Sequence, residues 1–319
     1  MSSQTKDKIF KIVQTFLKSP PLVVWGSGAT ISFGLPSMRD LNEALKKEVE
    51  DFDISNDNLE DELGKDKYQE KLPQIKQVIW KEVNNADIFV LKKFIDNEID
   101  DFNGIKLLIE KFIETHPQVL NIVTTNYDRV LEHWLSYQGV NFTDGFDGKT
   151  LSIFNDDNFK GGSIVNLVKV HGSLNWFNVN GEVRYLSGET ANKTPKIVVP
   201  SKNKFEETYE VPYRELIQKS DALINNALSF LVVGFGFNDK HLTPRIEANI
   251  KKGIPLVLIT KEVSGNTFKE LKKAKKYILF EEAETGKTKV TYKENSSSEE
   301  KVEIIDGDFW QLNEIMEIL

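Results

Sequence analysis

Leu22-Val23-Val24-Trp25-Gly26-Ser27-Gly28-Ala29-Thr30 decides how the rest of the chain is read. LVVW at 22–25 is a short, continuous apolar run, the pattern of a strand buried on both faces of a parallel sheet. Glycines follow it at once, and a helical stretch begins near Arg39. Strand, glycine turn and helix make half of a β-α-β unit. Upstream, Ile9, Ile12, Val13, Phe16 and Leu17 recur at helical spacing over 7–17, and Pro20-Pro21 stop that helix.

Downstream, the pattern changes before it returns. From Leu41 to Thr115 the chain is rich in lysine and glutamate. Its apolar residues are spaced by three and four, as in Ile88, Leu91, Phe94, Ile95 and again in Ile105, Leu108, Ile109, Phe112. That spacing predicts several amphipathic helices and no strand, with the polar stretch Asp51–Lys67 as a loop. Strands are then expected at 120–124, 164–170, 196–199, 229–234, 255–259 and 277–280. Helices fit at 127–138, 208–227, 239–251 and 263–275. The charged stretch 281–303 carries an exposed turn, Glu294–Glu300, between two strands, and a last helix is expected over 309–319. Alternating strands and helices predict an α/β fold with a doubly wound, mostly parallel sheet. Residues 1–40 and 116–319 would form the core and 41–115 a helical insertion; no internal repeat is visible.

Composition narrows the function classes. The 319 residues carry 49 acidic against 41 basic side chains, a formal net charge of −8. This argues against a protein whose main affinity comes from neutralising nucleic-acid phosphates. There is no cysteine, which rules out disulfides, thiolate nucleophiles and cysteine-based zinc or iron–sulfur sites. The N-terminal MSSQTKDKIF lacks the apolar core of a secretory signal. The longest run free of both charged and strongly polar groups, near Phe230–Phe237, falls far short of the ~18–20 residues that span a bilayer. A soluble cytoplasmic protein without membrane contact is the expectation, and no metal is expected.

Four constellations sit where ligands bind in open α/β sheets, just past the carboxyl ends of strands. Gly26, Ser27, Gly28 and Thr30 follow the first strand. Glycines there let a backbone approach a phosphate, although a plain tight turn calls for them equally. No third glycine stands at the spacing of a dehydrogenase fingerprint, so hydride transfer is not favoured. Thr125, Asn126 and Asp128 follow the second strand, where they could hydrogen-bond a sugar or amide, or cap the next helix. His171 ends a further strand; an imidazole there can act as a base near neutrality, or serve structure alone. His116, His133 and His241 read as ordinary surface or partly buried residues. Gly234, Phe235, Gly236 and Asn238 repeat the strand–glycine–helix arrangement, and Asp239 is placed to cap the helix that follows.

Together these pieces resemble the sirtuin family. GSGATISFGLPSMR at 26–39 is similar to the motif G-A-G-x-S-x-x-x-G-I-P-x-F-R, TTNYD at 124–128 to T-Q-N-I-D, and VHGS at 170–173 to the catalytic H-G-S. They come in the family's order. GFGFNDKHL at 234–242 is similar to the late glycine loop of sirtuin-like proteins from bacterial antiviral systems, and IIDGDFWQL at 304–312 to the family's C-terminal ending. The resemblance implies a Rossmann-like core that takes NAD as substrate. It gives Gly26, Gly28 and Thr30 a pyrophosphate-binding turn, and Arg39 a place near the nicotinamide ribose. Asn126 would orient the ribose and the attacking water, Asp128 would contact the carboxamide, His171 would be the base, and Gly234 would lie by the adenosine ribose. Ser37 and Met38 depart from the usual Asp and Phe, and Tyr127 from the usual Ile.

Cysteine is the sharpest departure. Sirtuin deacylases carry a four-cysteine zinc module that helps to form the acyl-lysine groove, and this chain cannot build one. No counterpart of the peptide-binding strand is visible after His171. The expectation is therefore an NAD hydrolase that releases nicotinamide and ADP-ribose. The resemblance further implies a gated effector of antiviral defence, active as a homo-oligomer or through a partner protein or nucleotide signal. The alternatives are a non-catalytic module that binds NAD or ADP-ribose and, less favoured, a protein deacylase.

Overall fold

The computed structural model describes residues 3–53, 59–63, 65–160, 164–187, 195–199 and 210–319. α1 (Ser3–Phe16) leads into β1 (Leu22–Trp25), and four helices follow: α2 (Met38–Glu48), α3 (Leu59–Leu63), α4 (Leu72–Ile95) and α5 (Asn103–Ile113). The chain then re-enters the sheet as β2 (Leu120–Thr124) and continues through α6 (Val130–Tyr137), β3 (Phe142–Thr143) and β4 (Val165–Lys169). β5 (Gly172–Val179), β6 (Glu182–Tyr185) and β7 (Pro195–Ile197) come next. α7 (Tyr213–Asn226), β8 (Phe230–Val233), α8 (Leu242–Lys252), β9 (Leu256–Ile259) and α9 (Gly265–Leu271) resume the alternation. β10 (Tyr277–Glu284), β11 (Lys287–Lys293), β12 (Lys301–Asp306) and α10 (Leu312–Met316) close the chain.

Nine strands form the main sheet in the order β12-β11-β10-β9-β8-β1-β2-β4-β3. From β10 to β3 every neighbouring pair is parallel; β11 and β12 are antiparallel additions at one edge. The central strands are buried on both faces, and alternate residues feed two different cores. Val23, Trp25, Leu231 and Val233 pack with α1 and the helices between β1 and β2. Leu22, Val24, Phe230 and Val232 pack with α7 and α8. The doubly wound, mostly parallel sheet expected from the alternation is present.

This winding fixes where a crevice can open. After β1 the chain moves to the β2 side; after β8 it moves to β9 on the other side. β1 and β8 are neighbours, so the strand order reverses between them, and their carboxyl ends mark the switch point.

Three local differences from the sequence reading have physical causes. Residues 196–199 were expected to join the main sheet, but β7 belongs to a separate three-stranded antiparallel sheet ordered β6-β5-β7. β5 and β6, which the apolar pattern did not reveal, are joined by Asn180-Gly181 with φ of +55° and +87°. Both residues adopt the left-handed region that a tight type I′ hairpin requires. Within the polar stretch 51–67, α3 forms because Leu59 and Leu63, one turn apart, are both buried. Buried Glu62 there accepts from Tyr68 Oη at 2.8 Å and Lys65 Nζ at 2.5 Å. Among the described residues no helix is long and apolar enough to cross a membrane.

Candidate functional site

One register row crosses the middle of the sheet: Ile259, Val233, Trp25, Thr124 and Lys169 lie side by side. The predicted motif residues start directly beyond it. Gly234 and Gly26 are the first residues past β8 and β1, while Asn126 and His171 each stand two positions past their row residue on β2 and β4. Backbone bonds carry the row onward, with Gly26 N donating to Val233 O at 2.9 Å and Val170 N to Thr124 O at 3.1 Å.

At β1 and β8 the two turns interlock. Gly28 N donates to Gly234 O at 2.9 Å. A Cβ on Gly26 would stand 2.4 Å from Gly234 O, and one on Gly234 (φ +60°) 2.1 Å from Ala29 N. These glycines are therefore required by backbone packed on backbone. The N–H groups of Gly26 and Gly28 are spent on protein carbonyls, while Gly28 itself remains exposed and Ser27 half-buried.

Thr30, 1% exposed, carries the turn towards β2. Its Oγ1 lies 3.2 Å from Ser27 O and 3.3 Å from Asp128 Oδ2. Asn126 Nδ2 donates to Gly26 O at 3.1 Å and faces Thr30 Oγ1 at 3.4 Å, whereas its buried Oδ1 has no hydrogen-bond partner. Thr30, Asn126 and Asp128 thus form one buried polar cluster. Burial lifts the Asp128 carboxyl to about 6; Lys169 opposes that rise, and the Asp87 and Glu132 carboxylates add to it. Beside the cluster lies a cavity of about 10 Å³, about the room one water needs, which Asn126, Asp128 and Lys169 help to line.

Lys169, an all but fully buried lysine at the end of the mostly apolar β4, holds this cluster from below. Its Nζ donates to Asp128 O and to Glu132 Oε1, both at 2.5 Å, which fixes the 126–128 turn to β4 and α6. α4 reaches the same region through buried Asp87, which accepts from Arg129 N at 2.5 Å and Nε at 2.9 Å and lies 3.0 Å from His133 Nε2. Burial works to raise the Asp87 carboxyl, but its bond to His133 and the Arg129 charge hold it below the usual carboxylate range. Neither Lys169 nor Asp87 was singled out from the sequence, where one is a lone cation in an apolar run and the other an acidic residue inside a helix.

His171 is 6% exposed, and its Nε2 stands 2.9 Å from Asp239 Oδ2. Asp239 also caps α8, as its position after the glycine loop suggests: Oδ1 accepts from His241 N at 2.9 Å and Leu242 N at 2.8 Å. The loop that carries it buries Phe235 and Phe237. Gly236 O accepts from Ser264 Oγ at 3.1 Å, and exposed Asn238 accepts from Asn266 at 2.6 Å. Thr125 is half-buried at the end of β2. Arg39 is not drawn into the cluster: its side chain is 87% exposed and meets Glu43 at 3.4 Å.

On the far side of Glu132 a larger cavity, about 590 Å³, opens between α6, the 143–148 turn and the β5–β6 hairpin. Asp144 lies in its wall, and burial lifts that carboxyl to about 6. Among the described residues no group of three or more His, Asp or Glu side chains is arranged to hold a metal ion.

The edge of the sheet therefore offers a buried carboxamide with an open acceptor, a carboxyl poised near neutrality, and an imidazole paired with a carboxylate. This set can orient a hydroxyl or a water and move a proton. No curated protein matches the chain. Solved structures that are similar to it include one described for the mechanism and regulation of Sir2 enzymes, with 15% identity, a TM-score of 0.45, and 82% of this chain and 88% of that one covered. Another, described for sirtuin substrate affinity, has 12% identity, a TM-score of 0.44, and coverage of 86% and 98%. A Sir2 homologue–NAD complex has 14% identity, a TM-score of 0.44, and coverage of 81% and 84%. The SIR2-like domain profile matches residues 120–281. That span runs from β2 into β10, takes in the strand ends bearing Asn126, His171 and Asp239, and makes up just over half of the chain, which therefore belongs to the SIR2-like family.

Proposed function

We propose that the chain is an NAD hydrolase that cleaves the nicotinamide–ribose bond to give nicotinamide and ADP-ribose. The observation that carries this reading is the Asn126 carboxamide: buried, tied through Nδ2 to the glycine turn, and left with an unpartnered Oδ1 beside a one-water cavity. A buried acceptor without a partner is costly unless a ligand or water completes it. The Sir2 homologue–NAD complex and the family match support NAD as that ligand.

NAD supplies a cationic leaving group on a ribose carbon, so the bond breaks through an oxocarbenium-like transition state with little need for a general acid. Asn126 orients the ribose and the attacking water, and Asp128 faces the carboxamide. His171 accepts the proton from a ribose hydroxyl or the water. Gly26, Ser27, Gly28 and Thr30 form the turn that gives the phosphates a close approach, with Gly28 exposed at its surface. Gly234, Phe235, Gly236 and Asn238 meet the adenosine half. In this reading residues 1–40 and 116–319 are the catalytic core, and 41–115 a helical insertion available for assembly. The absence of cysteine supports hydrolysis over deacylation, because the zinc module of the deacylases cannot be built. The enzyme is proposed to work in the cytoplasm as a gated effector of antiviral defence, in a homo-oligomer or under an activating partner or nucleotide.

The test is to incubate pure protein with NAD, with and without an acyl-lysine peptide, and to follow nicotinamide, ADP-ribose and O-acyl-ADP-ribose. NAD loss without peptide is expected, reduced about 10²–10⁴-fold by Asn126→Ala or His171→Ala. Wild-type turnover in both variants would sink the mechanism. Saturable NAD binding with no turnover would favour a binding module, and O-acyl-ADP-ribose a deacylase.

A further inference from the structure

His171 and Asp239 reach each other from distant strands. β4 and β8 are separated in the sheet by β1 and β2, so the loop after β8 must cross two strand ends to bring Asp239 to His171. That crossing is anchored by Phe235 and Phe237, which sink into the same core as Val170 and Trp176. The carboxylate is then held from the other side by the first N–H groups of α8. Helix capping accounts for one oxygen only, and serine or asparagine would cap as well. The second oxygen, 2.9 Å from Nε2 and at a residue 4% exposed, has no part in the cap.

We propose that Asp239 is the positioning residue of His171. Its carboxylate fixes the plane of the imidazole and stabilises the imidazolium formed when His171 takes a proton. The inference rests on the reading of His171 as the base of the hydrolase. The proton leaves an oxygen, a new N–H bond forms on the ring, and Asp239 stays ionised throughout. Held in a buried setting, the pair needs no rearrangement as charge develops on the ring, so the benefit falls on turnover rather than on binding.

The experiment compares wild type with Asp239→Asn and Asp239→Ser in two readouts. Asparagine keeps both the shape and the cap, whereas serine keeps a cap oxygen but is too short to reach the ring. In NAD hydrolysis both variants are expected to lose about 10²-fold in kcat with KM within about threefold. The second readout does not depend on activity: ¹⁵N-imidazole NMR of the four histidines, with His171 assigned by His171→Gln. The His171 ring signals are expected to shift in both Asp239 variants, while thermal unfolding stays near wild type in Asp239→Asn. Unchanged His171 signals, or wild-type kcat in Asp239→Asn, would overturn the proposal. If the wild-type protein turned over no NAD, the hydrolase reading would fall while the NMR arm still decided the pairing.

Discussion

The two halves of the sheet's carboxyl edge are built on opposite principles. Past β1 and β8 the chain places glycines, and backbone packs on backbone until Gly234 and Gly28 leave no room for a Cβ. Past β2 and β4 it places Asn126, Asp128 and His171, whose buried side chains meet Gly26 O, Thr30 and the Asp239 carboxylate. The one-water cavity and the 590 Å³ cavity both lie on the β2–β4 side. The glycine half fixes the backbone at the switch point, and the other half carries Asn126, Asp128 and His171.

The largest effect that can break this comparison is expected at Gly234. Gly234→Ala forces a left-handed alanine and drives its Cβ to 2.1 Å from Ala29 N. The backbone penalty of ~1–2 kcal/mol and the overpacking penalty of ~1–3 kcal/mol together predict a loss of roughly 2–5 kcal/mol in urea unfolding. Gly236→Ala serves as the contrast within the same loop. Its Cβ would meet nothing nearer than Asn238 Nδ2 at 3.4 Å, so a loss under ~1 kcal/mol is expected. Equal losses at the two positions would mean that the interlock is not what the first glycine provides.

A smaller effect, on the other half, comes from pH. The Asp128 carboxyl lies at about 6, against an ordinary 3.8. The folded state thus holds this proton more tightly than the unfolded chain does. The resulting stabilisation is fully present below the ordinary value and is lost as pH rises through about 6. The displacement corresponds to about 3 kcal/mol. Asp128→Asn removes the titration, so the stability difference between wild type and variant should move by that much, in favour of the variant, from about pH 3 to pH 7. Parallel stability–pH curves would show that the carboxyl is not desolvated.

How far the sequence foretold this edge depends on how local each cause is. β1 was legible to the residue because a strand buried on both faces reads as an unbroken apolar run, and β2 because Leu120, Ile122 and Val123 keep most of that run around Asn121. Asn126 and His171 could be picked out because strand ends in a parallel sheet are where ligand groups belong. The pairing of His171 with Asp239 was not legible: 68 positions apart, the two meet only because β8 returns beside β1 and its loop crosses the edge. Lys169 was hidden by its own strand, whose apolar pattern gave no hint of a lysine satisfied by Asp128 O and Glu132. The Asn180-Gly181 turn carried a readable hairpin signal, but the polar strands beside it lacked the apolar runs by which the other strands were found.

Arg39 provides the smallest expected effect and the finest test of the division. The motif around it suggests a group near the ribose, yet its side chain is 87% exposed on α2 and meets Glu43, at 3.4 Å, as an exposed ion pair. Pairs of this kind contribute little, so Arg39→Ala should change unfolding stability by less than ~0.5 kcal/mol. If the chemistry resides wholly in the β2–β4 half, KM for NAD should also stay within about threefold, because no uniform binding is removed. A tenfold rise in KM at unchanged stability would give the opposite answer. The segment after β1 would then turn its arginine inward around bound NAD, and Arg39 would have to be counted among the groups that hold it.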